Sequence, residues 1–224
     1  MTFLPIVERE LRVAARRPAI YRARLFAAVG VMLVWLILVG GSRGASAAEL
    51  SKTLFIAFGV IALGFCLLAG IFLTADCLSQ EKREGTLGLL FLTDLKGYDV
   101  VLGKLLATSA HSVYGLLAVF PILGLPLLLG GVTGAEFGRV VLVLLVTLFL
   151  SLSLGMAVSA IASDARQAMA GTLLGMLFLA GVLPALWWLR FTAFSSGRWN
   201  GLMAPSPVRA FICAFDAYYS TRSG

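Results

Sequence analysis

Long apolar runs without a charged side chain constrain this chain more than any other feature. Five such runs extend over residues 25–41, 53–75, 105–130, 140–162 and 168–189. At about 1.5 Å of rise per residue, most are long enough to cross about 30 Å of hydrocarbon, and the first and shortest needs flanking residues to do so. The runs predict an all-α polytopic membrane protein of about five transmembrane helices, with a transmembrane domain over residues 25–189.

Composition supports the bilayer as the environment. The chain is 60% hydrophobic and only 13% charged, whereas about a quarter of the residues in an ordinary soluble domain carry charge. A charged side chain at the middle of a membrane helix costs roughly 2.5 to 3.5 kcal/mol, which explains runs without any. The alternative of five buried helices in a soluble core is therefore disfavoured.

The distribution of Lys and Arg predicts the orientation. Arginines are dense before the first run and basic residues recur between runs two and three, whereas the opposite loops hold only Arg43, Lys52 and Arg139. Positive residues accumulate on the cytoplasmic side, so the N-terminus is predicted to be cytoplasmic. Residues 190–224 are then predicted to be extracytoplasmic, although their arginines make a discordant positive tail. These are Arg190, Arg198, Arg209 and Arg222.

Residues 1–24 are predicted to form a cytoplasmic interfacial segment. Phe3, Val7, Leu11 and Ala14 recur at helical spacing among charged residues, a pattern typical of an amphipathic helix lying on a membrane. A secretory signal peptide is disfavoured because acidic residues interrupt the basic region. The net charge of +7 fits anionic headgroups better than nucleic acid, for which no recognition motif is present.

Catalytic patterns are weak. The single histidine, His111, lies inside the third run without an acidic partner, so a packing role is favoured over catalysis. Ser151 and Ser153 lack a nucleophile motif, and we expect their hydroxyls to bond back to their own helix. An intramembrane enzyme acting on lipid would depend on these residues and is a minor hypothesis.

No cofactor or metal is expected. Cys66, Cys77 and Cys213 are far apart and lack zinc spacing, so they are interpreted as packing residues. The stretch 97–105, "GYDVVLGKL", resembles a phosphate-binding loop, but its glycine spacing is one residue too long and Leu105 replaces the hydroxyl residue that would hold magnesium.

The loop over residues 76–104 is densely charged and nearly neutral, with five acids against four bases. Gly85 can end one helix and Thr86 can cap a short new one, which places Leu87, Leu90 and Phe91 on one side. Such a helix suits a groove in a cytoplasmic partner. A solvated hairpin with its leucines on the bilayer is the alternative.

This order of elements resembles the permease subunits of type 2 ATP-binding cassette (ABC) exporters. The resemblance lies in "ERELRVAARRP", the apolar hairpin and "EKREGTLGLLFLTDLKGYDVVLGK" before the third run. The chain departs from the family pattern at Gly88 and at residues 93–95. Matches to the pattern are Glu81, Glu84, Gly85, Thr86, Leu87, Leu89, Leu90, Gly103 and Lys104.

The resemblance implies a non-catalytic subunit whose coupling helix, within residues 80–91, docks into a separate ATP-binding cassette ATPase subunit. It also implies a second permease subunit, identical or different, and Gly171 and Gly175 could pack such a dimer or pack within one subunit. Pro121, Pro126 and Pro184 could bend runs three and five. The implied docking residues are Glu81, Arg83, Glu84, Gly85, Thr86, Leu87, Leu90 and Phe91.

The family usually has six spans. Ser206 before Pro207 predicts a further helix with an apolar face that includes Phe211, Ile212 and Phe215. A short helix of this kind commonly precedes the sixth span in the family, so we expect a truncated sequence or a second chain that completes the fold.

The sequence therefore predicts the permease subunit of an ABC exporter in the bacterial inner membrane, which forms the translocation path and couples ATP hydrolysis in its partner to export. The alternative is a membrane scaffold or assembly factor that docks a cytoplasmic protein without transport. The transported substrate is not readable, because few polar residues mark a selective site.

Overall fold

The computed structural model describes residues 46–74, 97–117, 119–162, 164–185 and 206–216, together with the single positions 32, 36 and 40. Across these residues all regular structure is helical, in agreement with the predicted fold class. Four stretches are long and apolar enough to cross a membrane: Ala47–Thr74, Thr108–Leu128, Gly134–Ile161 and Ala165–Ala185. The predicted first run and the N-terminal interfacial segment lie outside the described residues, except for positions 32, 36 and 40.

Helix α1 covers Ala47–Ala69 and continues into a π-helical segment, Gly70–Thr74. It begins at a capping box: the Ser46 hydroxyl accepts a hydrogen bond from the Glu49 backbone N–H, and the Glu49 carboxylate accepts one from the Ser46 N–H. These bonds satisfy amide groups that have no partner within the helix. The helix therefore starts six residues before the predicted apolar run.

Two helices occupy the predicted third span. Helix α2 covers Gly97–Leu117 and helix α3 covers Phe120–Leu128. Pro121 lies in the first turn of α3, where its missing N–H leaves no hydrogen bond of the helix unmade. Residues 97–104, at the end of the loop predicted over 76–104, are helical, and residues 75–96 lie outside the described part of the chain.

Helix α4, Gly134–Ile161, is the central element and packs against α1, α2, α3 and α5. Helix α5 covers Ala165–Leu177 and continues into a second π-helical segment, Phe178–Val182. Pro184 follows two residues later. A proline ring collides with the carbonyl four residues earlier in an α-helix. The backbone hydrogen-bond pattern therefore has to widen just before Pro184. The span formed by α5 is the least buried of the four.

Helix α6, Pro207–Ala214, starts at the N-cap Ser206 with proline in its first turn, as the sequence predicts. It packs against α4 and against the π segment of α5. Of the residues on its predicted apolar face, Phe211 is buried and Phe215 packs against the same core, whereas Ile212 is 44% exposed. The backbone turns out of α-helix at Phe215, which lets residues 215 and 216 reach α1 and α4.

Candidate functional site

The π segment of α1 and the second half of α4 are in close contact. Ser151 on α4 accepts a hydrogen bond from the Gly70 backbone N–H at 2.8 Å and donates one to the Leu67 carbonyl at 2.9 Å. Thr74 donates its hydroxyl hydrogen to the Gly70 carbonyl at 2.8 Å. We call this cluster of Gly70, Thr74, Ser151 and Gly155 the crossing.

Two glycines make the crossing sterically accessible. A Cβ atom added to Gly70 would overlap the Ser151 carbonyl oxygen, and one added to Gly155 would overlap the Thr74 hydroxyl and come within 2.5 Å of the Gly70 carbonyl oxygen. Small residues allow membrane helices to approach with their backbones in contact. Here the backbones approach so closely that a hydroxyl of one helix enters the hydrogen-bond ladder of the other.

The expectation that the Ser151 hydroxyl bonds back to its own helix is wrong. Both of its hydrogen bonds go to α1, over 81 and 84 residues of sequence. The reason is local, because a π segment pairs its backbone groups with different partners from those of the preceding α-helix, and groups at the junction need an outside partner. Serines and threonines of α2 do bond back to their own helix, as Ser112 does to the Thr108 carbonyl at 2.7 Å.

At the opposite end of α4, helix α6 inserts aromatic side chains between α1 and α4. Phe215 meets Phe55 of α1 edge to face, with ring centroids 5.9 Å apart, and Phe211 meets Phe215 in the same manner at 5.1 Å. Phe55 also lies 6.4 Å from the ring of Phe137 on α4. Phe211 reaches Gly59, four residues further along α1. Helix α6 therefore runs antiparallel to α1, with its N-terminus pointing into the bundle.

Polar contacts fix the end of α6 to the start of α4. Arg139 forms an ion pair with Asp216 and donates a further hydrogen bond to the Ala214 carbonyl at 3.0 Å. The Thr133 hydroxyl caps α4 by accepting from the Glu136 N–H, and it donates to the other Asp216 carboxylate oxygen at 2.8 Å. We call the region of Phe55, Phe137, Arg139, Phe215 and Asp216 the rim.

The start of α1 and the end of α3 meet beside the rim. The Ser51 hydroxyl on α1 donates to the Pro126 carbonyl on α3 at 2.6 Å, and both residues are buried. The starts of α1 and α4, the end of α3 and the end of α6 thus meet at one end of the bundle, as a membrane helix hairpin topology requires.

Gly171 and Gly175, predicted for dimer or intrasubunit packing, lie against α4 of the same chain. A Cβ at Gly171 would come 2.8 Å from Val158 Cγ1, and one at Gly175 would come 2.9 Å from Leu154 Cδ2. This face of α5 is used within the subunit. Packing of a second subunit on these two glycines stays a prediction.

The predicted docking residues from Glu81 to Phe91 lie outside the described part of the chain, and so does Cys77. His111 lies within α2, and its side chain is not described. Cys66 is buried in α1 and Cys213 lies on α6, both as free thiols. Within the described residues, no three histidine, cysteine or acidic side chains converge on a point where they could hold a metal ion.

Sequence reasoning missed the crossing and the rim cluster. The crossing had a signal in "SLSLG", residues 151–155, where serine and glycine four residues apart share a helix face. Asp216 stood as an isolated acid on a positive segment, and only the three-dimensional fold brings it to Arg139.

Comparison with known proteins places this core in a family. No curated protein and no solved structure was found to match the chain. The model of the ABC-2 type transporter family matches residues 2–196, a range that contains α1 to α5 with both π segments. The family match and the apolar helices together show a multi-pass membrane protein with a transport permease role, of a kind that is typically non-catalytic. The chain belongs to the ABC-2 type transporter family.

Proposed function

We propose that this chain is the permease subunit of an ABC exporter and couples ATP hydrolysis in a separate ATP-binding subunit to export. The observation that carries the proposal is the family match over residues 2–196, which includes the charged loop 76–104. In that loop five acids and four bases surround a leucine-rich stretch. Opposite charges around an apolar face suit a protein groove better than a lipid surface.

The proposed orientation puts the N-terminus and the loop 76–104 in the bacterial cytoplasm and the rim outside. Support comes from the arginines before the first run and from α6. The ion pair between Arg139 and Asp216 joins residues 206–216 to the start of α4, an end that the charge distribution predicts to be extracytoplasmic. The arginines after residue 189 are then tolerated because a single basic tail weighs less than the short loops.

A second permease subunit is proposed to pack on the outward face of α5. Leu173, Leu174, Leu177 and Phe178 are all exposed in the single chain, with Leu174 at 66%. Lipid would satisfy such a face equally well, so the support is the low burial of this span together with the family resemblance. Whether the second subunit is a copy of this chain is a matter for a pull-down between two differently tagged copies.

Co-purification tests the proposed docking. The full-length chain is tagged and purified from the membranes of its native host, and the ATP-binding cassette proteins that co-purify with it are identified and quantified. Glu84→Lys and Leu90→Asp should each reduce recovery of the ATPase at least about tenfold, because a reversed charge or a buried carboxylate in a docking groove costs more than 1.4 kcal/mol.

Asp164→Lys is the matched control, since Asp164 is an exposed acid between α4 and α5 and lies on the same predicted side. It should leave recovery unchanged. Equal recovery with all three variants would remove the docking role. Recovery of an ATPase with no ATP-dependent transport in reconstituted vesicles would favour the alternative of a membrane scaffold.

A further inference from the structure

The crossing lies next to the loop proposed to dock the ATPase. The π segment of α1 ends at Thr74, and the loop proposed to dock the ATPase begins at residue 76. Movement of that loop can enter the membrane core through this junction or through α2, which begins at Gly97 at the other end of the loop. The crossing is also where α1 contacts α4, the helix around which the other described helices pack.

A π segment is a helix with one residue more than the α register accommodates. Conversion of Gly70–Thr74 into α-helix would turn everything after it by about 100° and advance it by about 1.5 Å, the step of one residue. The loop after Thr74 would then point to a different part of the cytoplasm. The π register observed here and an α register would therefore be two discrete arrangements, of the kind between which packed cores switch.

The Ser151 hydroxyl is placed to decide between these registers. It accepts from Gly70 N–H and donates to the Leu67 carbonyl, so one side chain satisfies a donor and an acceptor at the start of the π segment. Ser151 is fully buried. An unpaired backbone group in an apolar interior costs about 1 to 3 kcal/mol, enough to change which register is populated.

Close packing makes this arrangement specific. Gly70 and Gly155 leave no room for a Cβ between the two backbones, so the segment cannot slide while the contact is held. Thr74 adds a hydrogen bond across the π turn to the Gly70 carbonyl. Release of the Ser151 hydrogen bonds has to precede any change of register.

We propose that Ser151 is a positioning residue for transport: its hydroxyl holds the end of α1 in the π register, and the nucleotide-driven movement of the docking loop exchanges this register for an α register. This inference rests on the proposed function. In this proposal, movement of the ATPase reaches the membrane core by breaking the hydrogen bonds of one hydroxyl on α4. The Thr74 hydroxyl supports the π register as well, through its hydrogen bond to the Gly70 carbonyl.

Amide hydrogen exchange on the permease–ATPase complex in lipid nanodiscs tests the proposal. In the wild type, exchange at residues 67–74 should differ between the nucleotide-free complex and the complex trapped with ATP and vanadate. In Ser151→Ala, exchange at Gly70 should be about tenfold faster without nucleotide, and the difference on trapping should disappear. Ser153→Ala is the matched control, because Ser153 is exposed on the same helix.

A purely structural role predicts another result. Ser151→Ala would then lower the unfolding midpoint but keep the nucleotide-dependent difference at residues 67–74, and this outcome overturns the proposal. Absence of any such difference in the wild-type complex overturns it as well. Failure to recover an ATPase with the wild-type chain would instead contradict the proposed function.

If Ser151→Ala does not accumulate, Thr74→Val serves as the second variant. It preserves the shape of the side chain and removes only the hydrogen bond to the Gly70 carbonyl. Exchange at residues 67–74 should rise about threefold, and the nucleotide-dependent difference should shrink, because side-chain hydrogen bonds inside membranes are worth about 0.6 kcal/mol on average. An unchanged difference contradicts the proposal.

Discussion

The rim and the crossing join the same two helices in opposite ways. At the rim, α1 and α4 meet through the rings of Phe55, Phe137 and Phe215, and the contact depends on apolar volume. At the crossing, Gly70 and Gly155 let the backbones touch. The contact there depends on the lack of side chains at these two positions and on hydroxyl hydrogen bonds.

This contrast separates two sources of specificity in a membrane protein. Lipid tails solvate apolar side chains about as well as protein does, so an aromatic cluster holds its place through close packing alone. A hydrogen bond to a backbone group has no substitute in lipid, because no water is present to replace the lost partner. The rim should tolerate changes of side chain that the crossing does not.

The largest expected effect is at the crossing. Gly155→Leu would drive a side chain into the Thr74 hydroxyl and the Gly70 carbonyl, and both groups belong to a helix that cannot retreat without losing its other contacts. We expect a loss of at least about 3 kcal/mol in the free energy of unfolding, measured by SDS titration in mixed micelles. Gly64→Leu is the control, because nothing lies within 4 Å of a Cβ at that position. Equal stability of the two variants would remove the steric account of the crossing.

The aromatic cluster of the rim should give an intermediate effect. Phe55→Ala empties a site that is 1% exposed, and we expect a loss of about 2 kcal/mol. That is less than the 3 to 5 kcal/mol typical of soluble cores, because no transfer from water is lost in the bilayer. The same SDS titration measures it. Phe72→Ala, at a position of the same helix that is 73% exposed, should cost under about 0.5 kcal/mol, and an equally small loss for Phe55→Ala would mean that the rim is not packed as described.

The ion pair of the rim should give the smallest effect. Its side chains are 26% and 46% exposed, so Arg139→Ala should cost about 1 kcal/mol or less. The loss should shrink further at high salt, since ions screen exposed charges. SDS titrations at low and high ionic strength measure both values, with Arg166→Ala as the control at an exposed position on α5. A salt-independent loss would indicate that Arg139 acts through packing and its hydrogen bond to the Ala214 carbonyl, not through the ion pair.

Much of the fold was predictable because the bilayer imposes one simple rule on composition. Runs two to five each correspond to a described helical stretch, since charge-free segments of this length have to form helices in hydrocarbon. The start of α6 was also predictable, because Ser206 and Pro207 have strong local preferences at a helix N-terminus. Helix starts were less well predicted: α1 and α4 begin six residues earlier than their apolar runs, at the caps Ser46 and Thr133.

The remaining features depend on contacts between residues distant in sequence. Ser151 was expected to bond to its own helix, the usual choice for a serine in a membrane helix. Its true partners became available only because Gly70 and Gly155 bring α1 within reach. Asp216 gave no sign of its partner, 77 residues earlier in the chain. A single sequence contains the residues of such contacts but not their pairing.

The early starts of α1 and α4 have a consequence for the electrostatics of the molecule. Residues 47–52 and 134–139 precede the uncharged part of each helix and add roughly 9 Å of length. Glu49, Lys52, Glu136 and Arg139 all lie within these two extensions, and Asp216 joins Arg139 there. Arg139 and Asp216 keep 26% and 46% of their side chains exposed, so they pair with a smaller desolvation penalty than two fully buried charges would have. The extension of α4 beyond its uncharged part thus allows the short helix α6 to be fixed by an ion pair as well as by its aromatic rings.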